Sequence, residues 1–315
     1  MARRVRSGLV LISCLAIGAA AGCGGEWSEP APEPIEPATP PPVVAPPKVK
    51  HPSALQSVVS EIVLPTSGNE HGLDLDGDGM VDNQVGRLLG LLRSALQIEL
   101  QPTLNKQLQA GKAIVLFDLL AGSLWTEGEA EVRAYLGRDL DSNAANNYSG
   151  VEQFQAISGI VETSVLPGSI SSGRLATTKP STGFIALPFL SKTAILPLRN
   201  TRIQAEVGPD GMQQAVLAGA IPMADAVALL APVLTAELDR LYKLPELSPL
   251  AKQAFKSWLD ADADGSISEQ ELTGSTAFGF LLHTADIDTD EDGTPDAVSF
   301  GIAFRSVPCS IRLSQ

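Results

Sequence analysis

The apolar residues of the chain recur at a helical spacing in its N-terminal third and again after residue 220. Residues 84–101 place leucines and a valine three and four positions apart, which predicts an amphipathic helix that ends at Pro102. A further short helix is predicted over 103–110. Residues 222–242 have the same spacing around Pro232, which should kink or split this helix because proline has no N–H.

A last helix is predicted to begin at Ser248, with the serine as its N-cap and Pro249 in its first turn. Its apolar residues form a double stripe that runs directly into Asp260. The helix therefore leads into a polar segment with a chemistry of its own.

Between residues 112 and 217 the apolar residues change to short runs separated by Gly, Pro, Ser and Asn, which is typical of strands. The Gly208-Pro-Asp-Gly211 sequence suits a hairpin turn, and residues 297–311 alternate enough to predict a closing strand. The fold class is therefore predicted as α+β, with an antiparallel, sandwich-like sheet as the core and helices on its flanks. The strands predicted within the central region are 113–119, 130–136, 154–163, 174–178, 183–190, 193–198, 201–207 and 212–217.

The first residues have the pattern of an export signal. Arg3, Arg4 and Arg6 precede an apolar stretch over 9–21, which is too short to span a bilayer, and small residues then precede Cys23. This pattern resembles the lipobox of bacterial lipoproteins. The resemblance implies cleavage before Cys23, lipidation of Cys23 and a membrane anchor in the cell envelope, at the outer membrane or the periplasmic face. An ordinary secretory signal with a nearby cut is the alternative, and both interpretations place the mature chain outside the cytoplasm.

Alternating aspartates follow the last predicted helix. Residues 260–271 are named loop 2, because a related loop precedes them in the chain. Aspartates occupy the first, third and fifth positions of loop 2, Gly265 occupies the sixth and a glutamate occupies the twelfth. This spacing resembles the EF-hand calcium loop, whose Ca²⁺ takes oxygens from those positions and from the seventh and ninth. The resemblance implies a helix–loop–helix segment near the C-terminus with the ligands Asp260, Asp262, Asp264, Ser266, Ser268 and Glu271.

Two shorter loops have a related spacing. Residues 74–82 (loop 1) and 288–296 (loop 3) carry aspartates at the first, third, fifth and ninth positions and glycine at the sixth. Val85 stands at the twelfth position of loop 1, and Pro295 at the eighth position of loop 3 has no N–H for pairing with a partner loop. Both loops resemble those of thrombospondin type 3 repeats and dockerins. The ligands implied are Asp74, Asp76, Asp78, Met80 and Asp82 in loop 1, and Asp288, Asp290, Asp292, Thr294 and Asp296 in loop 3.

These patterns divide the chain into four parts. A signal peptide over 1–22 is followed by a proline-rich, extended linker over 23–52. Residues 53–247 are expected to form an α+β domain that contains loop 1 and the β-rich centre. Residues 248–315 are expected to form the EF-hand-like segment and the closing strand.

The composition excludes several classes of function. The net charge is −14 with a pI near 4.6, and removal of the three signal arginines makes it −17, which argues against nucleic acid as a partner. The sequence contains no HExxH, GxSxG or CxxC motif, and its three histidines do not stand at zinc spacing. If Cys23 carries lipid, Cys309 has no disulfide partner, and it is expected to be a small buried apolar residue.

Two classes of function remain. The first is an envelope-anchored calcium-binding lipoprotein in which calcium is mainly structural, with a binding or adhesion role towards a glycan or a protein. The alternative is a secreted, calcium-stabilised hydrolase that acts on polysaccharide or peptide. A deep pocket with paired carboxylates outside the three loops would favour the hydrolase, and a shallow groove would favour binding. A calcium sensor that opens a hydrophobic groove is a third and weaker hypothesis, because no methionine-rich stripe is present.

Overall fold

The computed structural model describes residues 52–97, 99–157, 164–177, 179–189, 193–276, 278–279 and 285–313. The predicted signal peptide, Cys23 and the linker up to residue 51 lie outside these residues. Residues Lys48–Gln315 form one compact unit. Among the described helices, none has the length and apolar character that crossing a membrane requires.

The described strands run almost entirely antiparallel, with β4 and β11 as the one parallel pair among them. The strands are β1 (Ser53–Val63), β2 (Val115–Ala121), β3 (Gly128–Asp139), β4 (Gln153–Ala156), β5 (Ser164–Ser171), β6 (Arg174–Thr177), β7 (Ser181–Pro188), β8 (Thr193–Gly208), β9 (Gly211–Pro222), β10 (Ala297–Pro308) and β11 (Ser310–Arg312).

The sheet closes on itself. Strand β3 is long enough to pair with β2 along one edge and with β5 along the other, so eight strands form a barrel in the order β3-β2-β1-β10-β9-β8-β6-β5. The antiparallel sheet with flanking helices is present and β structure dominates, but the predicted sandwich-like arrangement is not confirmed because the sheet closes into a barrel. Strand β10, from the predicted C-terminal segment, pairs with both β1 and β9.

The strand predictions differ from the structure at several places. Strands β1 and β5 were not predicted. The strand predicted over 154–163 is present as Gln153–Ala156, and residues 158–163 lie outside the described part. The two strands predicted over 193–207 are one strand, β8, in which a register shift lies between Arg199 and Arg202. The predicted hairpin is confirmed, with Val207 opposite Met212.

The described helices are α1 (Gln84–Leu96), α2 (Gln101–Gln109), α3 (Met223–Asp225), α4 (Ala231–Tyr242), α5 (Pro249–Trp258) and α6 (Glu269–Gly274). The prediction that Pro102 ends the first helix is wrong. Pro102 lies in the first turn of α2, where its missing N–H is tolerated, and α1 ends at Gln97 with a left-handed backbone. Pro232 lies in the first turn of α4 and does not split it. The departure from regular α-helix lies before Pro232, as a π-helical turn over Ala226–Leu230 between α3 and α4.

One large core joins the helices to the sheet. It includes Leu88, Leu92 and Leu96 of α1 together with Phe117 of β2 and Phe304 of β10, whose rings stack with centroids 5.1 Å apart. A smaller cluster brings together Leu75 of loop 1, Ile287 just before loop 3, and Ala218 and Ala220 of β9. This smaller cluster fixes loops 1 and 3 beside the same strand.

Candidate metal centres

Loop 2 begins where α5 ends, and its first aspartate is buried. Ser248 caps α5 by accepting the Ala251 N–H, and Tyr242 of α4 stacks on Phe255 of α5 with ring centroids 5.3 Å apart. The Tyr242 hydroxyl donates a hydrogen bond to Asp260 Oδ2 at 2.9 Å. Asp260 is only 2% exposed, and its other oxygen, Oδ1, has no hydrogen-bond partner among the described residues.

Glu271 closes loop 2 from the first turn of α6. Its Oε1 accepts the Ala261 N–H at 2.7 Å, and its Oε2 accepts the Ser268 N–H at 2.9 Å. Hydrogen bonds from the N–H and the hydroxyl of Ser268 are the main reason why the pKa of Glu271 lies below its usual value. Carboxylate oxygens of Asp260, Asp262 and Glu271 lie within 4.8 Å of one another.

The other predicted residues of loop 2 lie around this group of three carboxylates. Asp264 is outside the group and accepts the Ser266 N–H at 2.7 Å. Ser268 caps α6 in a reciprocal capping box with Glu271. The Ile267 N–H at the eighth position, which pairs with a partner loop in EF-hands, donates to Asp239 of α4 at 3.0 Å. Loop 2 is therefore supported by a helix at this position.

Loop 1 brings Asp74, Asp76 and Asp78 together, with carboxylate oxygens within 4.8 Å of one another. Asp82, at the ninth position, accepts the Leu75 N–H at 2.7 Å and lies outside this group. Burial raises the pKa of Asp82, and the charges of Asp76 and Asp286 raise it further. Met80 is 66% exposed, and it can serve calcium only through its backbone carbonyl, because its thioether is not an oxygen ligand.

Loop 3 repeats this arrangement. Asp288, Asp290 and Asp292 have carboxylate oxygens within 4.8 Å of one another, and Asp288 Oδ1 is a buried atom without a hydrogen-bond partner in the described part. Asp296 accepts the Thr289 N–H at 2.8 Å, as Asp82 does from Leu75 in loop 1.

The three loops have the same internal hydrogen bonds. In each, the carboxylate at the first position accepts the glycine N–H at the sixth position, at 3.0, 3.2 and 2.7 Å in loops 1, 2 and 3. The carboxylate at the fifth position accepts the N–H of the seventh at 2.7, 2.7 and 2.8 Å. Loop 1 is thus similar in its backbone hydrogen bonds to loops 2 and 3, although nearly two hundred residues of sequence separate it from them.

The backbone of each loop is left-handed at its fourth and sixth positions. Glycine accepts this conformation at the sixth position of every loop. At the fourth position, loop 1 has Gly77, but loop 2 has Ala263 at φ 60° and loop 3 has Glu291 at φ 62°. A left-handed conformation costs a residue with a side chain roughly 1–2 kcal/mol. The backbones of loops 2 and 3 are therefore strained at the fourth position, and other interactions of the loop must offset this cost in free energy.

Two arginines of β8 attach loops 1 and 3 to the barrel. Arg202 donates to the backbone carbonyl oxygen of Asp74 at 2.6 Å and of Leu75 at 3.2 Å. Arg199 donates to Thr289 Oγ1 at 3.1 Å, and its guanidinium lies 3.8 Å from Asp296. The register shift between these two arginines lies where the strand meets the two loops.

A fourth acidic group was not predicted. Carboxylate oxygens of Asp139, Asp141 and Glu152 lie within 4.8 Å of one another at the end of β3. Asp139, Asp141 and Asn143 alternate as in the three loops, and this alternation is the signal that could have identified them. Ala144 replaces glycine at the sixth position, so the sequence lacks the most specific part of the pattern.

A polar cleft of about 770 Å³ lies beside loop 1. Of the described residues that line it, Asp286 is the only carboxylate outside the three loops, and it is hydrogen-bonded to the backbone and hydroxyl of Ser299. Burial raises the pKa of Asp286.

Comparison of the chain with protein-family models, with curated proteins and with solved structures found no match.

Proposed function

We propose that this chain is an exported, lipid-anchored protein of a bacterial envelope that binds calcium in loops 1, 2 and 3, uses the calcium mainly as a structural element, and recognises a glycan or protein through its β-rich region. The observation that carries the proposal is the unpaired Oδ1 of Asp260, in a residue 2% exposed and beside two further carboxylates. An unsatisfied buried oxygen costs about 1–3 kcal/mol, and more if it is charged. A cation bound among these oxygens removes that cost.

Calcium suits these loops better than other cations. Their ligands are all oxygens, and each loop offers several carboxylates together with backbone carbonyls, as calcium requires for its six to eight ligands. Magnesium prefers fewer protein ligands in a strict octahedron, and zinc prefers nitrogen and sulfur, which these loops lack. Bound calcium would also offset the repulsion among the carboxylates of each loop.

The position of each loop favours a structural role. Loop 1 leads into α1, loop 2 joins α5 to α6, and loop 3 leads into β10 of the barrel. A cation in each loop therefore fixes the start of the element that follows it. Extracellular calcium modules typically have a Kd of about 10⁻⁴–10⁻³ M, so such sites are occupied constantly outside the cell.

Binding is favoured over the hydrolase alternative by the polar cleft beside loop 1. The hydrolase requires paired carboxylates outside the loops in a deep pocket. Asp286 is the only such carboxylate among the described residues of this cleft, and the pocket that contains Glu206 and Asp210 is open to solvent and not deep. Calcium-stabilised recognition therefore remains the function that the geometry supports best.

Calorimetric titration of calcium into the full, calcium-free chain tests the proposal. Three sites are expected. Glu271→Gln should remove one of them, because an amide supplies a single neutral oxygen in place of a bidentate carboxylate. Glu269→Gln is the matched control, since Glu269 belongs to the same helix turn but not to the carboxylate group, and it should leave three sites. A wild-type chain that binds no calcium would refute the proposal.

The lipid anchor has a separate test. Cys23→Ser should move the protein from the detergent phase to the aqueous phase on partitioning, because it removes the residue that carries the lipid. Cys14→Ser, within the predicted signal, is the control and should leave partitioning unchanged. Aqueous partitioning of the wild-type protein would contradict lipidation.

A further inference from the structure

Three hairpin turns meet at one end of the barrel and line an open pocket of about 420 Å³. The loop between β2 and β3 contributes Trp125, the turn between β5 and β6 contributes Ser172 and Gly173, and the turn between β8 and β9 contributes Asp210. Loops 1 and 3 pack instead beside Ala218 and Ala220, further along β9. The pocket is therefore separate from the acidic loops.

Trp125 is held in place while most of it remains exposed. The backbone carbonyl of Trp125 accepts the Ser172 N–H at 3.2 Å, and the backbone N–H of Trp125 donates to Ser123 Oγ at 3.1 Å. The six-membered ring lies against glycine backbone: a Cβ on Gly173 would come within 3.0 Å of it, and one on Gly208 within 3.9 Å. Trp125 is nevertheless 61% exposed. A rigidly held, exposed indole is a preorganised surface for stacking a ligand.

Polar side chains with unused hydrogen-bonding capacity surround this ring. Arg174 of β6 lies directly opposite Glu206 of β8. Arg174, Glu206 and Asp210 form no ion pair within 4.0 Å with any residue that the structure describes. Gln213 of β9 completes the polar lining. The pocket thus offers both acceptors and donors at the rim of an apolar surface.

We propose that this pocket binds an uncharged saccharide, with a sugar ring stacked on Trp125 and its hydroxyl groups bonded to Arg174, Glu206, Asp210 and Gln213. A pyranose ring has an apolar C–H face and a rim of hydroxyl groups that both donate and accept, which matches this lining. The pocket has two carboxylates and one guanidinium, and the resulting net negative charge disfavours an anionic ligand. The lining has no apolar recess to receive a peptide side chain, since Val207 is its only other apolar side chain among the described residues.

This inference rests on the proposed binding role and names the ligand class of that role, but it does not depend on calcium at the loops. The test titrates cellohexaose, maltohexaose and chitohexaose into the full chain, purified with calcium, by calorimetry. At least one should bind, and Trp125→Ala should weaken that binding at least about tenfold, because it removes the stacking surface. Trp258→Ala is the matched control: Trp258 is 45% exposed on α5, outside the pocket, and its removal should leave the affinity unchanged.

Asp210→Asn provides a second variant, in which an exposed turn residue changes without loss of a packed side chain. It should weaken binding several-fold, as expected for loss of a charge-assisted hydrogen bond. Equal binding by wild type and Trp125→Ala would overturn the inference, as would the absence of heat with all three saccharides at about 10 mM, a range that detects even weak binding. Release of new reducing ends would overturn a purely binding role. Saccharide binding through Trp125 in a chain that binds no calcium would sustain this inference while refuting the structural role of calcium.

Discussion

The Asn83 side chain connects three parts of the chain through four hydrogen bonds. Its Nδ2 donates to the carbonyl oxygens of Glu70 at 2.7 Å and Gly301 at 3.0 Å, and its Oδ1 accepts the N–H groups of Gly86 at 2.9 Å and Gly301 at 3.2 Å. It therefore caps α1, closes the segment that contains loop 1, and fixes both to β10. Asn83 is 2% exposed, so water does not replace these partners.

Asn83→Ala should lower the free energy of unfolding by about 2–4 kcal/mol, because it removes a helix cap and leaves several buried backbone groups unpaired. Urea unfolding measures the effect. Asn69→Ala is the control: Asn69 is exposed in the same segment, and its replacement should change stability by less than about 0.5 kcal/mol. Equal effects of the two variants would show that the Asn83 hydrogen bonds do not stabilise the fold.

Tyr148 makes the stability of the fold depend on pH in the alkaline range. Its hydroxyl donates to the Leu108 carbonyl oxygen at 2.7 Å, and burial raises the pKa of Tyr148 to about 12, against about 10 in an unfolded chain. The folded state therefore disfavours ionisation of Tyr148. Its contribution is fully present below about pH 10 and is lost as the pH rises towards about 12.

Wild type should lose about 2 kcal/mol more stability than Tyr148→Phe between about pH 10 and pH 12, since phenylalanine does not ionise. Unfolding by urea across this range measures the difference between the two proteins. Parallel losses in wild type and variant would contradict the assignment. At neutral pH, Tyr148→Phe should show only the cost of one lost hydrogen bond, about 1 kcal/mol.

Cys309 is a free, half-buried thiol, and burial raises its pKa to about 12. Cys309 was expected to be a small buried apolar residue, and the structure leaves part of it exposed. Its raised pKa disfavours the reactive thiolate at neutral pH. The aspartate groups of the three loops are predictable from their spacing, because alternation and a glycine at the sixth position are local signals. The roles of Asn83 and Tyr148 are not predictable in this way, since their partners lie up to 218 residues away.

At the scale of elements, the docking of loops 1 and 3 on β8 depends on its two arginines. Arg202→Ala should lower the free energy of unfolding by about 1–3 kcal/mol and weaken calcium binding at loop 1, because the carbonyl oxygens of Asp74 and Leu75 lose a charged donor. Urea unfolding and calcium titration measure the two effects.

The control for Arg202 is Arg305→Ala on β10. Arg305 has a side chain 62% exposed and an ion pair of 3.8 Å with Glu61, and such surface pairs contribute about 0–1 kcal/mol. Calcium binding should be unchanged in this variant. A similar loss of stability in both variants, with calcium binding intact, would show that Arg202 does not hold loop 1.

Helices were more predictable than strands for a physical reason. The spacing of leucines and the caps Ser248 and Pro249 are local, and they place α1 and α5 within a few residues. Strand β5 contains Pro167 and Gly168 and has only three large apolar residues, so its sequence gives a weak signal. Its strand conformation comes from pairing with β3 and β6, and that pairing also closes the barrel.

At the scale of the whole molecule, the three loops lie at connections that join distant parts of one sheet and its helices. Loop 1 follows β1, loop 3 precedes β10, and β1 and β10 are paired neighbours in the barrel. Cations bound separately in loops 1 and 3 would therefore order the connections of two paired strands that are more than two hundred residues apart in sequence. Removal of calcium should lower the stability of the barrel as a unit and not only that of the loops.

Thermal unfolding of the full chain in calcium, in magnesium and in chelator tests this central claim most directly. Calcium at about a hundred times its Kd should stabilise the fold by about 2.7 kcal/mol for each occupied site, which raises the Tm, and magnesium should raise it less. The combined variant Asp78→Asn, Glu271→Gln and Asp292→Asn should show no calcium-dependent rise. The same Tm for wild type in calcium and in chelator would contradict the account and leave the aspartate loops as ordinary solvated turns.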